Sequence, residues 1–140
     1  MIRNLSEYFK SEQEIFLESI NYKKIERSEE NSTKEITLVC QDNVKASVNE
    51  KGIRIILTRS LIFKPEELFE LSVSFGADIQ FNERKSEYDW NKIDLAGEFR
   101  ENGDFIIIQL MSRISLLIGQ ITSSFGQPPF ILPAELIKKR

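Results

Sequence analysis

The sequence predicts one α+β domain over residues 1–140, in which an antiparallel meander sheet of about four strands is backed by one long C-terminal helix. Three observations support this prediction. Apolar and polar residues alternate throughout residues 69–81, weaker alternation precedes them, and a long apolar stretch follows. Alternation with a period of two is typical of a half-buried strand in an antiparallel sheet. Because the strands come first and the helix last, the order favours α+β architecture.

The N-terminal third contains the weakest signals. A short helix is possible from Ser6, and residues 16–26 form a candidate first strand before a polar loop over 29–34. Residues 36–48 alternate in two parts, separated by Gln41, Asp42 and Asn43. This pattern predicts a second strand that contains a break or a bulge.

The middle of the chain predicts a hairpin. Residues 49–52 form a turn in which Gly52 is available for a positive φ. Residues 53–63 then place apolar side chains on one face, with Arg59 as the exception. A second turn over 64–67 leads into the strand at 69–81. That strand is longer than the usual five or six residues, so a bend is expected near Gly76.

The C-terminal third predicts the helix. Residues 82–103 are polar and irregular, with a helical turn or two within 90–99. Asp104 is placed to cap a helix over 105–124, and Gly126 and the following prolines are placed to end it.

This helix has two interpretations, because Arg113 is its only charged residue between Phe105 and Phe125. A membrane span is one, but the many Ser, Gln and Thr residues favour a helix buried on two sides, by the sheet and by a second subunit. The predicted oligomer interface comprises Ile107, Leu110, Met111, Ile114, Leu117, Ile118 and Ile121.

The composition excludes several classes of function. The chain contains no histidine and one cysteine, which removes the Ser-His and Cys-His catalytic arrangements, the usual zinc ligand sets and any intrachain disulfide. No phosphate-binding or calcium-binding motif occurs, so neither a cofactor nor a metal is expected. A net charge of -3 with scattered basic residues argues against nucleic acid. We therefore expect a cytoplasmic protein that is not an enzyme, without membrane insertion.

Three features together resemble the SecB family of protein-export chaperones. The first is the strand pair at 53–63 and 69–77 with an acidic turn at Glu66 and Glu67; the second is the apolar helix. The third is the ending Ser123-Ser124-Phe125-Gly126-Gln127-Pro128-Pro129-Phe130-Ile131-Leu132-Pro133. The resemblance implies a four-stranded sheet, assembly of dimers into a tetramer through the helices, and ATP-independent capture of unfolded polypeptides in apolar grooves.

Two departures argue against coupling to export. The sequence stops at Arg140, without the final helix and tail through which SecB proteins engage the translocase motor. The family also has an acid for docking the motor where Ser72 stands here, although Glu70 lies on the same face and could replace it. SecB-like proteins that serve other partners, including toxin–antitoxin systems, are also known.

Aromatic residues at element edges and in loops are the candidates for polypeptide binding: Phe63, Tyr88, Trp90 and Phe130. Aromatic side chains there offer a large contact area at low entropic cost, although packing beneath the surface is an equal alternative for each. The leading hypothesis is a holdase for non-native polypeptides. The alternative is a dedicated protein that binds one partner, such as an antitoxin, a phage protein or a regulatory protein. A small-ligand protein or enzyme is the third, and the lack of a catalytic constellation disfavours it.

Overall fold

The structure is a computed structural model that describes residues 2–26, 35–65, 68–125 and 129–137. Several sequence predictions fall outside these ranges: the polar loop at 29–34, the acidic pair Glu66 and Glu67, and the helix stop at Gly126 and Pro128. The described elements occur in the following order: a 3₁₀ turn (Leu5–Tyr8), β1 (Phe9–Lys24), β2 (Thr37–Val48), β3 (Gly52–Lys64), β4 (Phe69–Phe81), two 3₁₀ turns (Glu83–Glu87 and Trp90–Lys92), α1 (Leu95–Asn102) and α2 (Asp104–Ser123).

The predicted fold class is confirmed: one antiparallel four-stranded sheet is followed by a long helix. The strand order is β1-β4-β3-β2, so only β2, β3 and β4 form a meander. β1 lies at the far edge beside β4, which is a Greek key arrangement. Alternation reports which face of a strand is buried and carries no information on strand order, so the sequence could not distinguish this arrangement from a full meander.

β1 begins at Phe9, whereas the sequence predicted its start at residue 16, and a single 3₁₀ turn replaces the predicted N-terminal helix. The pairing of β1 with β4 shifts register between Phe9 and Gln13 and again between Leu17 and Ser19. The first shift adds two residues and keeps the inward and outward positions, whereas the second adds one residue and reverses the positions that follow it. The period of two therefore fails along β1, and the strand was only partly visible in the sequence.

β2 is unbroken, and the predicted break at residues 41–43 is wrong. β2 pairs with β3 from Thr37 to Val48 without a shift in register. Asp42 keeps the inward position that an apolar residue would take, opposite Arg59 on β3. The two residues that interrupt the apolar alternation of neighbouring strands are therefore partners of each other.

Two glycines serve close packing between strands. At Gly52, which has no positive φ, a Cβ would lie 1.8 Å from the Ile79 carbonyl oxygen of β4. At Gly76, a Cβ would meet the Phe16 ring at 2.4 Å. Strand pairing continues through Gly76 on both sides without a shift, so this glycine accommodates an aromatic ring and marks no interruption of β4.

α2 begins at Asp104, and Gly103 occupies the N-cap position without a side-chain cap, so the predicted capping role of Asp104 is wrong. Gly103 also ends α1, whose own N-cap is Asp94. Because a single residue connects the two helices, the start of α2 is set by the end of α1.

α2 packs mainly on β4, and α1 packs on β2. We call the sheet face under these helices the inner face. Its fully buried side chains and those of the helices form the core, which includes Ile53, Ile55, Leu57, Leu61, Leu71, Val73, Ala77, Ile79, Phe99, Ile106, Leu110, Met111, Ile114 and Ile118. By length and composition α2 is also apolar enough to cross a membrane. Its apolar stripe lies on the sheet, however, which explains that composition as the property of a core helix.

Candidate functional site: apolar surfaces beside the long helix

The inner face is unevenly covered, and its open part lies over β1. Leu17, Ile20 and Tyr22 are 50%, 43% and 45% exposed. They pair in register with Phe75, Val73 and Leu71 of β4. Directly paired residues of an antiparallel sheet point to the same face, so all three lie on the inner face. We call them the β1 apolar row.

A bulge in β1 creates this row. Leu17 and Ile20 are separated by an odd number of positions, which in a regular strand places side chains on opposite faces. The register shift between Leu17 and Ser19 adds one residue and returns Ile20 to the inner face. Sequence analysis missed the row because the bulge conceals its periodicity.

Tyr22, the last residue of the row, also lines a cavity of about 390 Å³ that we call the aromatic groove. The side chains that define it are those of Tyr22, Leu68, Phe69, Phe125 and Phe130. The Tyr22 ring lies 5.1 Å from that of Phe125 and 5.8 Å from that of Phe69. Tyr22 and Phe125 are also among the most exposed aromatic residues described. Such a patch is typical of a surface that binds another apolar chain.

Leu68 forms part of the rim of this groove in an unusual backbone conformation. Its φ is 65°, a left-handed value that is unfavourable for a side chain branched at Cγ. Its carbonyl oxygen accepts a hydrogen bond from the Ile25 amide at 3.0 Å, which ties the start of β4 to the end of β1. Leu68 thereby remains exposed at the groove, and backbone strain of this kind is concentrated at functional positions.

The four residues predicted to bind polypeptide are divided between the two ends of the sheet. Phe130 is half-buried in the aromatic groove, and Phe63 lies beneath it, buried, with its ring 5.1 Å from Phe69. Tyr88 and Trp90 lie at the other end of β4. The aromatic groove and the site of Tyr88 and Trp90 are thus separated by most of the length of β4, roughly 40 Å.

Tyr88 and Trp90 belong to an aromatic cluster with Tyr8, Phe9 and Phe81. Trp90 is buried and donates Nε1–H to the Lys85 carbonyl at 2.8 Å, whereas Tyr88 is exposed beside a cleft of about 710 Å³. Trp90 and Phe63 thus serve mainly as packing residues, and Phe130 and Tyr88 are the predicted residues that have accessible surface.

The two residues predicted to dock a partner, Glu70 and Ser72, lie on the outer face of the sheet, and both are half-buried. The hydroxyl groups of Ser72 and Ser60 are 3.0 Å apart, and those of Ser74 and Thr58 are 2.6 Å apart. At these positions the face presents a ladder of hydroxyl groups paired across the strands.

Most of the stripe predicted as an oligomer interface lies in the core of a single chain. Ile107, Leu110, Met111, Ile114 and Ile118 are buried between α2 and the sheet, and Leu117 and Ile121 are half-buried. The five buried residues offer little surface to another chain, whereas Leu117 and Ile121 keep part of theirs. Leu116 and Ile108, at 64% and 50% exposure, are the large apolar residues that α2 exposes within its described length.

A buried ion pair lies on the inner face over β2 and β3. Arg59 donates Nε–H to Asp42 Oδ1 at 2.7 Å and Nη2–H to Oδ2 at 2.8 Å, and both side chains are almost fully buried. Burial lowers the pKa of Arg59, but the hydrogen bond to Asp42 and the attraction of its negative charge together outweigh burial and hold the pKa above its usual value. Burial also raises the pKa of the neighbouring Cys40 thiol, which lowers its reactivity.

The pair also holds residues 129–137, which we call the C-terminal segment, and Arg59 donates a further hydrogen bond to Ser115 Oγ of α2 at 3.4 Å. Arg59 donates to the carbonyl oxygens of Pro133 and Glu135, each at 2.7 Å. The Ile137 amide donates to Asp42 Oδ2 at 2.8 Å. Every atom of the segment bound by the pair belongs to its backbone.

α2 holds the beginning of the same segment. The Phe130 amide donates to Thr122 Oγ1 at 2.8 Å, and that hydroxyl donates to the Ile118 carbonyl at 2.8 Å. The C-terminal segment therefore covers the part of the inner face that α2 leaves open over β2 and β3, while the β1 side remains uncovered. Among the residues described, no cluster of His, Cys, Asp and Glu is suited to hold a metal ion.

No protein-family model matches the chain, and no curated protein matches it. Among solved structures, a SecB-like chaperone of Mycobacterium tuberculosis in complex with a ChAD peptide from the HigA1 antitoxin aligns with a TM-score of 0.69. The alignment covers 93% of this chain and 89% of that one at 13% identity. A protein of unknown function from Streptococcus agalactiae covers 88% and 99% at 20% identity, with a TM-score of 0.36 that carries no argument.

The alignment to the mycobacterial chaperone extends over nearly the whole chain. The four antiparallel strands and the long helix on the inner face agree with the architecture implied by the sequence resemblance. The protein has a SecB-like fold.

Proposed function

We propose that this protein is an ATP-independent chaperone that binds polypeptides through the β1 apolar row and the aromatic groove. The observation that carries this proposal is the continuity of the two surfaces, because Tyr22 belongs to both. A single exposed apolar residue is ordinary for a protein surface, but a connected row that ends in a cluster of aromatic rings is not.

The geometry suits an extended client. Successive inward positions of a strand are separated by roughly 7 Å, so apolar side chains at alternate positions of a client can contact Leu17, Ile20 and Tyr22 in turn. The aromatic groove then accepts a larger side chain, as aromatic clusters do at interface hot spots.

The solved neighbour supports peptide binding as a use of this fold, because that SecB-like chaperone is in complex with an antitoxin peptide. A binding surface of half-exposed side chains gives modest affinity for one segment of a client. A homo-oligomer that joins several such surfaces would hold one client more tightly through multivalency. We therefore propose that the protein self-associates.

The test uses a double variant, Ile20→Ser with Tyr22→Ser, which removes apolar surface from the row and leaves the core intact. We expect at least a severalfold loss in the ability of the protein to suppress aggregation of a chemically unfolded protein, measured by light scattering without ATP at matched subunit concentrations. The control, Asn21→Ser with Lys23→Ser, changes the outward positions of the same strand, which pair with Ser72 and Glu70. The control should behave as the parent protein does. Equal suppression by both variants contradicts the proposed site.

A second candidate is a dedicated interaction protein that holds one specific partner, and the antitoxin peptide bound to the solved neighbour favours it. Affinity capture from the source cells distinguishes the two functions. One stoichiometric partner that is lost with Ile20→Ser and Tyr22→Ser supports the dedicated role, whereas a broad set of clients supports the general one.

The contacts at the two predicted docking positions give no support to a role in export. Of the two positions predicted for docking a translocase motor, Ser72 has its hydroxyl paired with Ser60 and Glu70 is half-buried on a strand in the middle of the sheet.

A further inference from the structure

We propose that Asp42 and Arg59 form a second polypeptide site, which recognises polypeptide backbone, and that the C-terminal segment occupies this site until a client displaces it. The site lies over β2 and β3, apart from the β1 apolar row. The class of ligand, a polypeptide, rests on the proposed function. The location of the site and its mode of recognition rest on the contacts of the pair.

The pair hydrogen-bonds to polypeptide backbone through side-chain atoms. It binds the carbonyl oxygens of Pro133 and Glu135 and the amide of Ile137, which are alternate residues of the segment. The segment bends at Ala134 and Glu135, and the three bound groups lie on either side of and within this bend. Arg59 supplies the donors and Asp42 the acceptor that a neighbouring strand would otherwise provide.

The side chains of the segment alternate in burial. Phe130, Leu132, Ala134 and Leu136 are half-buried against the core, whereas Ile131, Pro133, Glu135 and Ile137 are exposed. The site therefore reads the backbone together with apolar side chains at every second position and is insensitive to the residues between them. That tolerance is what a protein needs to bind many different unfolded sequences.

The segment is suited to leave the site. Residues 129–137 form neither a helix nor a strand, and the hydrogen bonds described above attach them through side-chain groups of α2, β2 and β3. Beside the segment is a cavity of about 210 Å³, lined in part by Cys40, Leu132 and Leu136. Elements with few backbone ladder bonds and half-buried side chains open at lower free energy than the sheet they cover.

An attached segment competes strongly with a free peptide, because its effective concentration is of millimolar order. Weakening the segment in cis should therefore raise the affinity for the same sequence in trans. The probe is a fluorescent synthetic peptide with the sequence of residues 129–137, and its binding is followed by anisotropy.

The variant that opens the site is Leu132→Glu with Leu136→Glu, which places charges at two half-buried positions of the segment and leaves Asp42 and Arg59 unchanged. The matched control is Ile131→Glu, at a position that is 78% exposed. We expect the opened variant to bind the peptide at least tenfold more tightly than the parent and the control. Adding Asp42→Leu and Arg59→Met to the opened variant should abolish that gain.

A folded opened variant that binds no better than the parent overturns the inference, and so does binding that survives loss of the Asp42–Arg59 pair. If the opened variant does not fold, hydrogen exchange of the parent protein tests whether peptide displaces the segment. Saturating peptide should accelerate exchange of the Phe130 and Ile137 amides and leave β2 and β3 unchanged, and unaltered exchange overturns the proposal. The variant Leu17→Ser with Ile20→Ser, which changes the β1 row outside the aromatic groove, should keep full peptide binding here, so failure of this site and failure of the β1 row are distinguishable.

Discussion

At the scale of single residues, the buried pair of Asp42 and Arg59 dominates the inner face. Replacing Arg59 by Met leaves the Asp42 carboxylate buried beside the Ile137 amide without its cation. Breaking a buried ion pair in this way costs about 3–5 kcal/mol, so we expect a loss of that size in the free energy of unfolding, measured by urea denaturation. The double variant Arg59→Met with Asp42→Leu should recover most of the loss. Equal losses in the single and double variants contradict this coupling.

Individual positions also explain two exceptions in the sequence. Arg59 and Asp42 each interrupt an apolar face, and their pairing in register removes both anomalies. β4 has a glycine at position 76 because the Phe16 ring of β1 lies over it and leaves no room for a side chain. The Arg54 guanidinium lies 4.9 Å from the centre of that ring.

At the scale of elements, α2 packs one apolar stripe into the core and exposes its opposite surface to solvent. Truncating Leu110, which is fully buried, to Ala should lower the free energy of unfolding by about 2–5 kcal/mol through lost burial and a cavity. Leu116→Ala changes the same residue type where it is 64% exposed, and we expect an effect within about 0.5 kcal/mol. Thermal and urea unfolding measure both. A comparable loss at Leu116 would show that a partner or a membrane covers the outward face of α2.

At the scale of the whole molecule, the inner face is covered asymmetrically. α1, α2 and the C-terminal segment cover β2, β3 and β4, whereas β1 keeps an apolar row and a free edge. Exposed edges of this kind pair readily with another strand. Antiparallel pairing of two β1 edges would join two sheets and place both apolar rows on one continuous face.

We therefore expect the protein to be a dimer or a larger homo-oligomer at micromolar concentration in light scattering coupled to size exclusion. Ile20→Lys introduces an inward-pointing charge on the edge strand and should shift the protein toward the monomer. Gln41→Lys, at an exposed position on the opposite edge strand β2, should leave the mass unchanged. A monomeric parent protein would remove multivalency from the proposed mechanism.

The parts of the fold that were predictable depend on unbroken periodicity. β3, β4 and α2 were located to within a residue or two because each keeps one period throughout, and the three features that resemble SecB lie largely in the same part of the chain. β1 was half missed because residues 10–14 are all polar and the register shift after Leu17 reverses the alternation. Of the candidate site, the sequence identified Phe130 in the aromatic groove, but it did not identify Leu17, Ile20 or the pairing of Asp42 with Arg59.

By itself, the sequence determined the fold class, the long strand and helix, and the absence of histidine chemistry, because composition and periodicity are local properties of the chain. Tertiary structure alone decided which strand lies at which edge, which apolar residues remain exposed, and which charges meet. Those outcomes depend on contacts between residues far apart in the sequence: Tyr22 meets Phe125, and Arg59 meets the backbone of Glu135. Pairing across such distances is set by the packing of the complete chain, and no single segment encodes it.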